Sequence, residues 1–149
     1  MALGIEADRK SQAQAGQGQK ADGRQGNAQV AARRYAGTGR TLRLEVAPSL
    51  YNRLRAGYDD RSYTATVGLC QSASLLALDD LGAERPTDWV AEQAYTLVNH
   101  RYEHALPIWA TSNLELDELT HHIGQRTVWR LAETCLVIHV TGLNWRTAN

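Results

Sequence analysis

The chain has 149 residues, 43% of them hydrophobic and 21% charged, with 16 basic residues balanced by 16 acidic ones. That length supports one ordinary domain with a real core, and a net charge of zero excludes a strong overall field toward nucleic acid, although a local basic patch is still allowed. No apolar run approaches the roughly 20 residues that span a bilayer, and the opening MALGIEADRK is too polar for a signal peptide, so a cytoplasmic protein without membrane contact is expected.

Residues 1–40 differ from the rest. The stretch KSQAQAGQGQKADGRQGNAQVAARR is Ala, Gln and Gly with scattered charge and almost nothing large to bury. Such a segment cannot offset the entropy of ordering it, so residues 1–40 are expected to form a disordered, low-complexity arm ahead of a domain at 41–149. The arm carries seven basic residues against three acidic ones. It could touch nucleic acid, but a solvated tail without a partner is the simpler reading. Cys70 and Cys135 have no second Cys or His at metal-ligand spacing and are expected as buried thiols.

From Thr41 the pattern becomes periodic. TLRLEV alternates apolar and polar as a half-buried strand does. Pro48 suits the first turn of a helix, and Leu50, Tyr51, Leu54 and Tyr58 follow at helical spacing. SYTATVGLC is ambiguous. LLALD is a continuous apolar run of strand length, as in a central parallel strand. A helix is predicted from Pro86 to about His104, with Trp89, Val90, Ala94, Leu97 and Val98 inward and Glu92, Asn99 and Arg101 on the polar sides. IWATSN reads as another buried strand. Ser112 and Glu115 have capping-box spacing, although Asn113 could equally cap the helix that follows. LDELTHHI and RTVWRLAE are two short helices broken near Gly124, and CLVIHV is a last strand. Strands alternating with helices predict an α/β fold with a mainly parallel sheet.

In such sheets ligands bind at the carboxyl ends of the strands. LLALD ends in Asp79 and Asp80, two adjacent acids that repel each other, and IWAT leads into Thr111, Ser112 and Asn113 at a second strand end. An apolar strand ending in two acids is a Walker B pattern, in which the first carboxylate holds Mg²⁺ and the second orients or deprotonates a water. Ordinary turns also follow apolar runs with Asp-Asp.

The whole stretch LLALDDLGAERPTDWVAEQAYTLVNHRYEHALPIWATSNLELDELTHHIGQRTVWRLAETC resembles the bacterial replicative-helicase loaders of the DnaC and DnaI type and the IstB-like transposon helper ATPases, both of the AAA+ class of P-loop ATPases. The resemblance covers about Thr41 to Arg146. It implies a partial AAA+ core that uses ATP and Mg²⁺, with Asp79 as the metal ligand, Asp80 as the catalytic carboxylate that orients or deprotonates a water, and Asn113 as the polar residue that orients the attacking water or touches the γ-phosphate. It also implies that Arg126 and Arg130 form the arginine motif, Arg130 being the finger that reaches a neighbouring subunit's nucleotide. The implied partners are a replicative helicase or a transposase, single-stranded DNA, and further copies of the chain through the arginine-finger face.

The phosphate loop G-x-x-x-x-G-K-[ST] is not found in that form. The nearest match is RRYAGTGRT, in which Gly39, Arg40 and Thr41 would stand for G-K-T. A strand follows at once where a phosphate loop should lead into a helix, so the loop reads as missing or degenerate. Whether ATP is hydrolysed is left open, and the chain is expected to be a truncated copy, either with impaired nucleotide binding or a non-enzymatic remnant. Since the phosphate-loop strand of the family lies centrally in its sheet, its loss predicts open apolar strand faces, marginal stability and aggregation.

Other groups carry weaker signals. His100 and His104 are four apart but lack the Glu of H-E-x-x-H, so surface histidines are expected. His121 and His122 face different sides of one helix. Trp89, Trp109, Trp129 and Trp145 are expected mostly in the core. Arg53, Arg55 and Arg61 could contact phosphates or simply be solvated.

Overall fold

The computed structural model describes residues 40–139 and the backbone of a strand at residues 2–4. In chain order the elements are β1 (Ala2–Gly4), β2 (Leu42–Val46), α1 (Ala47–Ala56), α2 (Ser62–Ser72), β3 (Leu75–Asp79), α3 (Asp88–Glu103), β4 (Ile108–Thr111), α4 (Leu116–Ile123), α5 (Gln125–Thr134) and β5 (Leu136–Ile138).

The sheet has the order β2-β3-β4-β1-β5. β2, β3 and β4 are parallel, whereas β1 runs antiparallel to both β4 and β5. The α/β, mainly parallel architecture is therefore as expected. The strand at Ala2–Gly4 is not, because it falls in a stretch whose composition predicts no order; its pairing to two neighbours supplies what local sequence does not.

Helix signals fell close to their places. Pro48 stands in the first turn of α1, and the ambiguous SYTATVGLC is helical in α2. α3 starts at Asp88 rather than Pro86, because the Thr87 hydroxyl accepts the Val90 N–H at 3.2 Å and caps the helix there. α4 begins after Glu115, which with Glu118 forms the capping box, so neither Ser112 nor Asn113 is the cap. α1 ends at Ala56, and Tyr58 lies beyond it, exposed.

The helices and one face of the sheet share one core. Leu50 and Leu54 of α1, Cys70 of α2, Leu97 of α3, Leu119 of α4 and Leu131 of α5 meet Leu76 and Leu78 of β3 and Ile108 and Ala110 of β4. Arg101 belongs to this interior as well, against the expectation of a polar face. It is fully buried, and its guanidinium donates to the carbonyls of Cys70 (3.0 Å), Ala73 (2.8 Å) and Pro107 (2.6 Å). Those carbonyls lie where α2 ends and where the chain enters β4, and the arginine satisfies them.

The opposite sheet face lies outside that cluster, although its central residues Leu75 and Ala77 are buried. Partners in register share a face, so Leu42, Leu44 and Val46 lie beside Leu75, Ala77 and Asp79, and this row continues through Trp109 and Thr111 to Leu136 and Ile138. Leu44, Val46, Leu136 and Ile138 are all exposed. In β2 the expected burial is thus inverted. Glu45 is the buried residue, held by Arg43 at 2.6 Å and by Arg53 of α1 at 2.7 Å, while its apolar neighbours face outward. Among the described residues no helix is long and apolar enough to cross a membrane.

Candidate functional site

The site grows from the ends of β3 and β4. β3 lies between two parallel strands and is buried through Leu78, then reaches the sheet edge at the half-buried Asp79. Beyond it the chain reverses at Asp80, whose φ of 61° is in the left-handed region that Asp tolerates better than most residues.

Both are held by the end of β4. Thr111 Oγ1 donates to Asp79 Oδ1 at 2.5 Å and accepts the Asp80 N–H at 3.0 Å. Asn113 Nδ2 donates to Asp80 Oδ1 at 2.9 Å. The backbone joins the same two ends: the Leu81 N–H donates to the Thr111 carbonyl at 2.8 Å, and Ser112 Oγ donates to the Leu81 carbonyl at 2.7 Å. The repulsion of adjacent carboxylates is thus countered by protein donors. Thr111 is the residue that sequence reasoning placed at the strand end without giving it a role; only the pairing of β3 with β4 reveals it.

The following turn is tightly packed. Gly82 has a φ of 90°, and a Cβ there would come within 2.7 Å of Leu114 Cδ1 and 2.8 Å of Leu119 Cδ1. The Gly82 N–H donates to Glu84 Oε1 at 3.2 Å, whereas Glu84 Oε2 is buried without a hydrogen-bond partner. Burial pushes the Glu84 carboxyl above the ordinary carboxylate range; the Gly82 hydrogen bond and the nearby His122 pull the other way, and the Asp80 charge adds to the rise. Tyr51 is buried with its hydroxyl unpartnered, and burial, followed by the Glu84 charge, drives its pKa upward. Glu84 is a second residue of this region that the sequence did not single out.

The remaining predicted residues are not brought to this edge. Thr41 is tied to Ser74: the Thr41 N–H and hydroxyl meet Ser74 Oγ at 3.3 and 3.2 Å, and the Ser74 N–H donates to Thr41 Oγ1 at 3.0 Å. Those contacts precede Leu42↔Leu75, whereas the acids follow Val46↔Asp79. Arg40 and Thr41 thus lie at the opposite edge of the sheet, a strand length of about 13 Å away. Gly39 lies outside the described residues. On α5, Arg126 is exposed, while Arg130 packs its guanidinium over the rings of Tyr95 (4.8 Å) and Tyr102 (5.2 Å). Arg130 Nη1 has no hydrogen-bond partner among the described residues. Trp129 is 63% exposed, contrary to the expected core placement, and Trp145 lies outside the described residues. The His100 and His104 rings stack 4.1 Å apart, and among the described residues no three potential ligands cluster for a metal. Cys70 and Cys135 are buried free thiols. Arg53 is engaged by Glu45, and Arg55 lies 4.7 Å over the Trp89 ring.

These residues meet the needs of a metal nucleotide on one side only. Mg²⁺ takes one or two carboxylate oxygens and keeps its waters, and Asp79 at the sheet edge, engaged through Oδ1 alone among the described residues, fits that demand. A triphosphate needs a cradle of N–H groups and a cation, and Arg40 and Thr41 stand too far away to supply one.

The α/β sheet with helices packed on it has the fold of AAA+ domains, and known proteins resemble it in structure and in sequence. The replication initiator DnaA bound to AMPPCP and single-stranded DNA superposes with a TM-score of 0.66 over 74% of this chain and 34% of its own, at 18% identity. The DnaC helicase loader superposes with a TM-score of 0.60 at 25% identity, over 67% of this chain and 61% of its own. In sequence, the replicative helicase loader DnaI of Bacillus subtilis is 33% identical over 80 residues, 53% of this chain and 26% of that protein. No family model matches the sequence. The chain is thus similar to the DnaC- and DnaI-type helicase loaders in sequence and fold, and it spans about a quarter of the length of DnaI.

Proposed function

We propose that the chain is a helicase-loader-type module of DNA replication that keeps the carboxylate half of the nucleotide site and is impaired in the phosphate-binding half. The observation that carries this reading is the pairing of Asp79 with Thr111 and of Asp80 with Asn113 at one sheet edge. Asp79 would hold the Mg²⁺, which supplies neutralisation of phosphate charge when bound. Asp80, positioned by Asn113, would orient a water. The exposed Arg126 would face a neighbouring copy, with Trp129 beside it as an aromatic anchor of the kind that dominates interfaces, and Arg130, whose Nη1 is buried without an acceptor, would have to swing off Tyr95 and Tyr102 to join it. The partners proposed from the relatives are a replicative helicase and single-stranded DNA.

Titration of a fluorescent ATP analogue with and without Mg²⁺, beside Asp79→Ala, tests it. Binding weaker than millimolar in both proteins is expected. Micromolar, Mg²⁺-dependent affinity that Asp79→Ala abolishes would overturn the impaired site. Capture of a purified hexameric replicative helicase tests the loader role, and failure to retain it in the presence of single-stranded DNA would remove that partner.

A second reading, a non-enzymatic remnant that associates only with related subunits, is favoured by the placement of Thr41 at the wrong sheet edge. An ATPase assay with and without single-stranded DNA separates the two. Turnover lost in Asp79→Ala supports the enzyme, and no turnover in either protein supports the remnant.

A further inference from the structure

The strand β1 is an anomaly in the sheet. It is three residues long, it runs against its neighbours, and it lies between β4 and β5, far in sequence from both. Its register is Ala2↔Thr111 and Leu3↔Ala110 on one side, and Ala2↔Ile138, Leu3↔Val137 and Gly4↔Leu136 on the other. Among the described residues β5 pairs with no strand but β1.

Two consequences follow from that register. Among the described residues β5 enters the sheet only through β1, so β1 holds the strand that follows α5. The edge of β4 that β1 covers also ends in Thr111, whose hydroxyl positions Asp79 and the Asp80 amide and whose carbonyl accepts the Leu81 N–H. Residues Ala-Leu-Gly are weak strand formers, and the glycine loses more freedom on pairing than other residues do. A strand of only three residues has few hydrogen bonds and contacts to hold it, and such an element opens locally while the packed helical core stays folded.

We infer that Ala2–Gly4 is a detachable strap, contributed by the same copy of the chain, that clips β5 into the sheet and, by covering β4, fixes Thr111 against the two acids. Release of the strap frees β5 and leaves the Thr111 end of β4 as an open sheet edge. The strap does not depend on whether the acids ever meet a nucleotide.

The test uses the full chain in a Cys70→Ala, Cys135→Ala background. Directly opposite residues of an antiparallel pair have Cα atoms about 4.5–5.5 Å apart, within the range a disulfide spans. Ala2→Cys combined with Ile138→Cys should therefore oxidise to an intramolecular disulfide in the monomer, whereas Ala2→Cys with Leu136→Cys, out of register, should not. A disulfide only between two copies, equal crosslinking of both pairs, or none in the first pair would overturn the inference. Hydrogen exchange then reads the coupling to the acids. Leu3→Pro removes the amide that a strand interior needs, so the amides of β5 and of Asp80 and Leu81 should exchange at least tenfold faster, with those of α3 unchanged. The oxidised Ala2–Ile138 pair should slow the same amides. Asp80 and Leu81 exchange that ignores both the proline and the disulfide would sever the strap from the acids.

Discussion

Thr111 Oγ1 lies 2.5 Å from Asp79 Oδ1 and 3.0 Å from the Asp80 amide nitrogen, so one hydroxyl on β4 serves both acids of β3. Its proton goes to the carboxylate and its lone pair takes the amide, which uses the donor and acceptor capacity of a threonine together. Thr111→Val keeps the shape and removes both bonds. It should lower stability by about 1–3 kcal/mol, because a part-buried carboxylate oxygen and an amide lose their partner. Thr111→Ser should recover most of that loss. Urea unfolding midpoints of the three proteins check it, and a valine variant as stable as the parent would refute the bridging role.

Arg101 should be less replaceable than any other charged residue of the described chain. Arg101→Met fills similar space, removes the guanidinium donor from the carbonyls of Cys70 and Ala73, and leaves Pro107 only the Leu76 N–H. A loss of about 3 kcal/mol or more is expected. Arg101→Lys should restore only part of it, since one ammonium cannot reach acceptors on two separate segments as a planar fork can. Chemical denaturation measures both.

Glu84 gives a pH dependence with a definite sign. Its carboxyl is raised from the ordinary 4.5, mainly by burial. The folded state then binds the proton more tightly than the unfolded one, so stability falls as pH rises from about 4.5 through the raised value. Glu84→Gln removes the charge and keeps an oxygen for the Gly82 N–H. It should raise Tm by ~2 °C at pH 7.5 and leave Tm unchanged near pH 4. A gain of equal size at both pH values would show that the charge is not the cause.

The outward sheet face predicts association of the isolated protein. Leu44, Val46, Leu136 and Ile138 share one side and are exposed. Leu44→Lys and Leu136→Lys, singly and together, should shift the population from aggregate toward monomer by light scattering, with Tm changed by no more than about 2 °C. A parent protein that is already monomeric and melts sharply would contradict the expectation of marginal stability.

What was legible in the sequence was whatever depends on near neighbours. Pro48, the apolar run ending at Asp79, and the Gly124 break between α4 and α5 announced themselves through periodicity and turn chemistry. So did the strand end that presents Asn113. What escaped depends on partners far along the chain. Thr111 is 32 residues from Asp79, and nothing local marks its hydroxyl as a bridge. Arg101 looks solvated until the end of α2 is placed against it. Glu45 looks like the wet side of β2 until Arg53 reaches it from α1. The exposed Trp129 shows the same limit from the other direction, since helical spacing reveals a stripe but not which neighbours cover it.

Gly82 separates two kinds of constraint on this part of the molecule. The branched tips of Leu114 and Leu119 close over it, so an alanine would have to turn those tips aside while adopting a φ of 90° that its Cβ disfavours. Selection for mere solubility would therefore hold that glycine in place, and its persistence in any sister sequence would testify to packing alone. The Asp80 side chain is not enclosed in that way: it is half-exposed, and its carboxylate accepts from the tip of Asn113. Drift at Asp80 across a lineage would therefore be the mark of a chain released from chemistry, and invariance there the mark of one still using it.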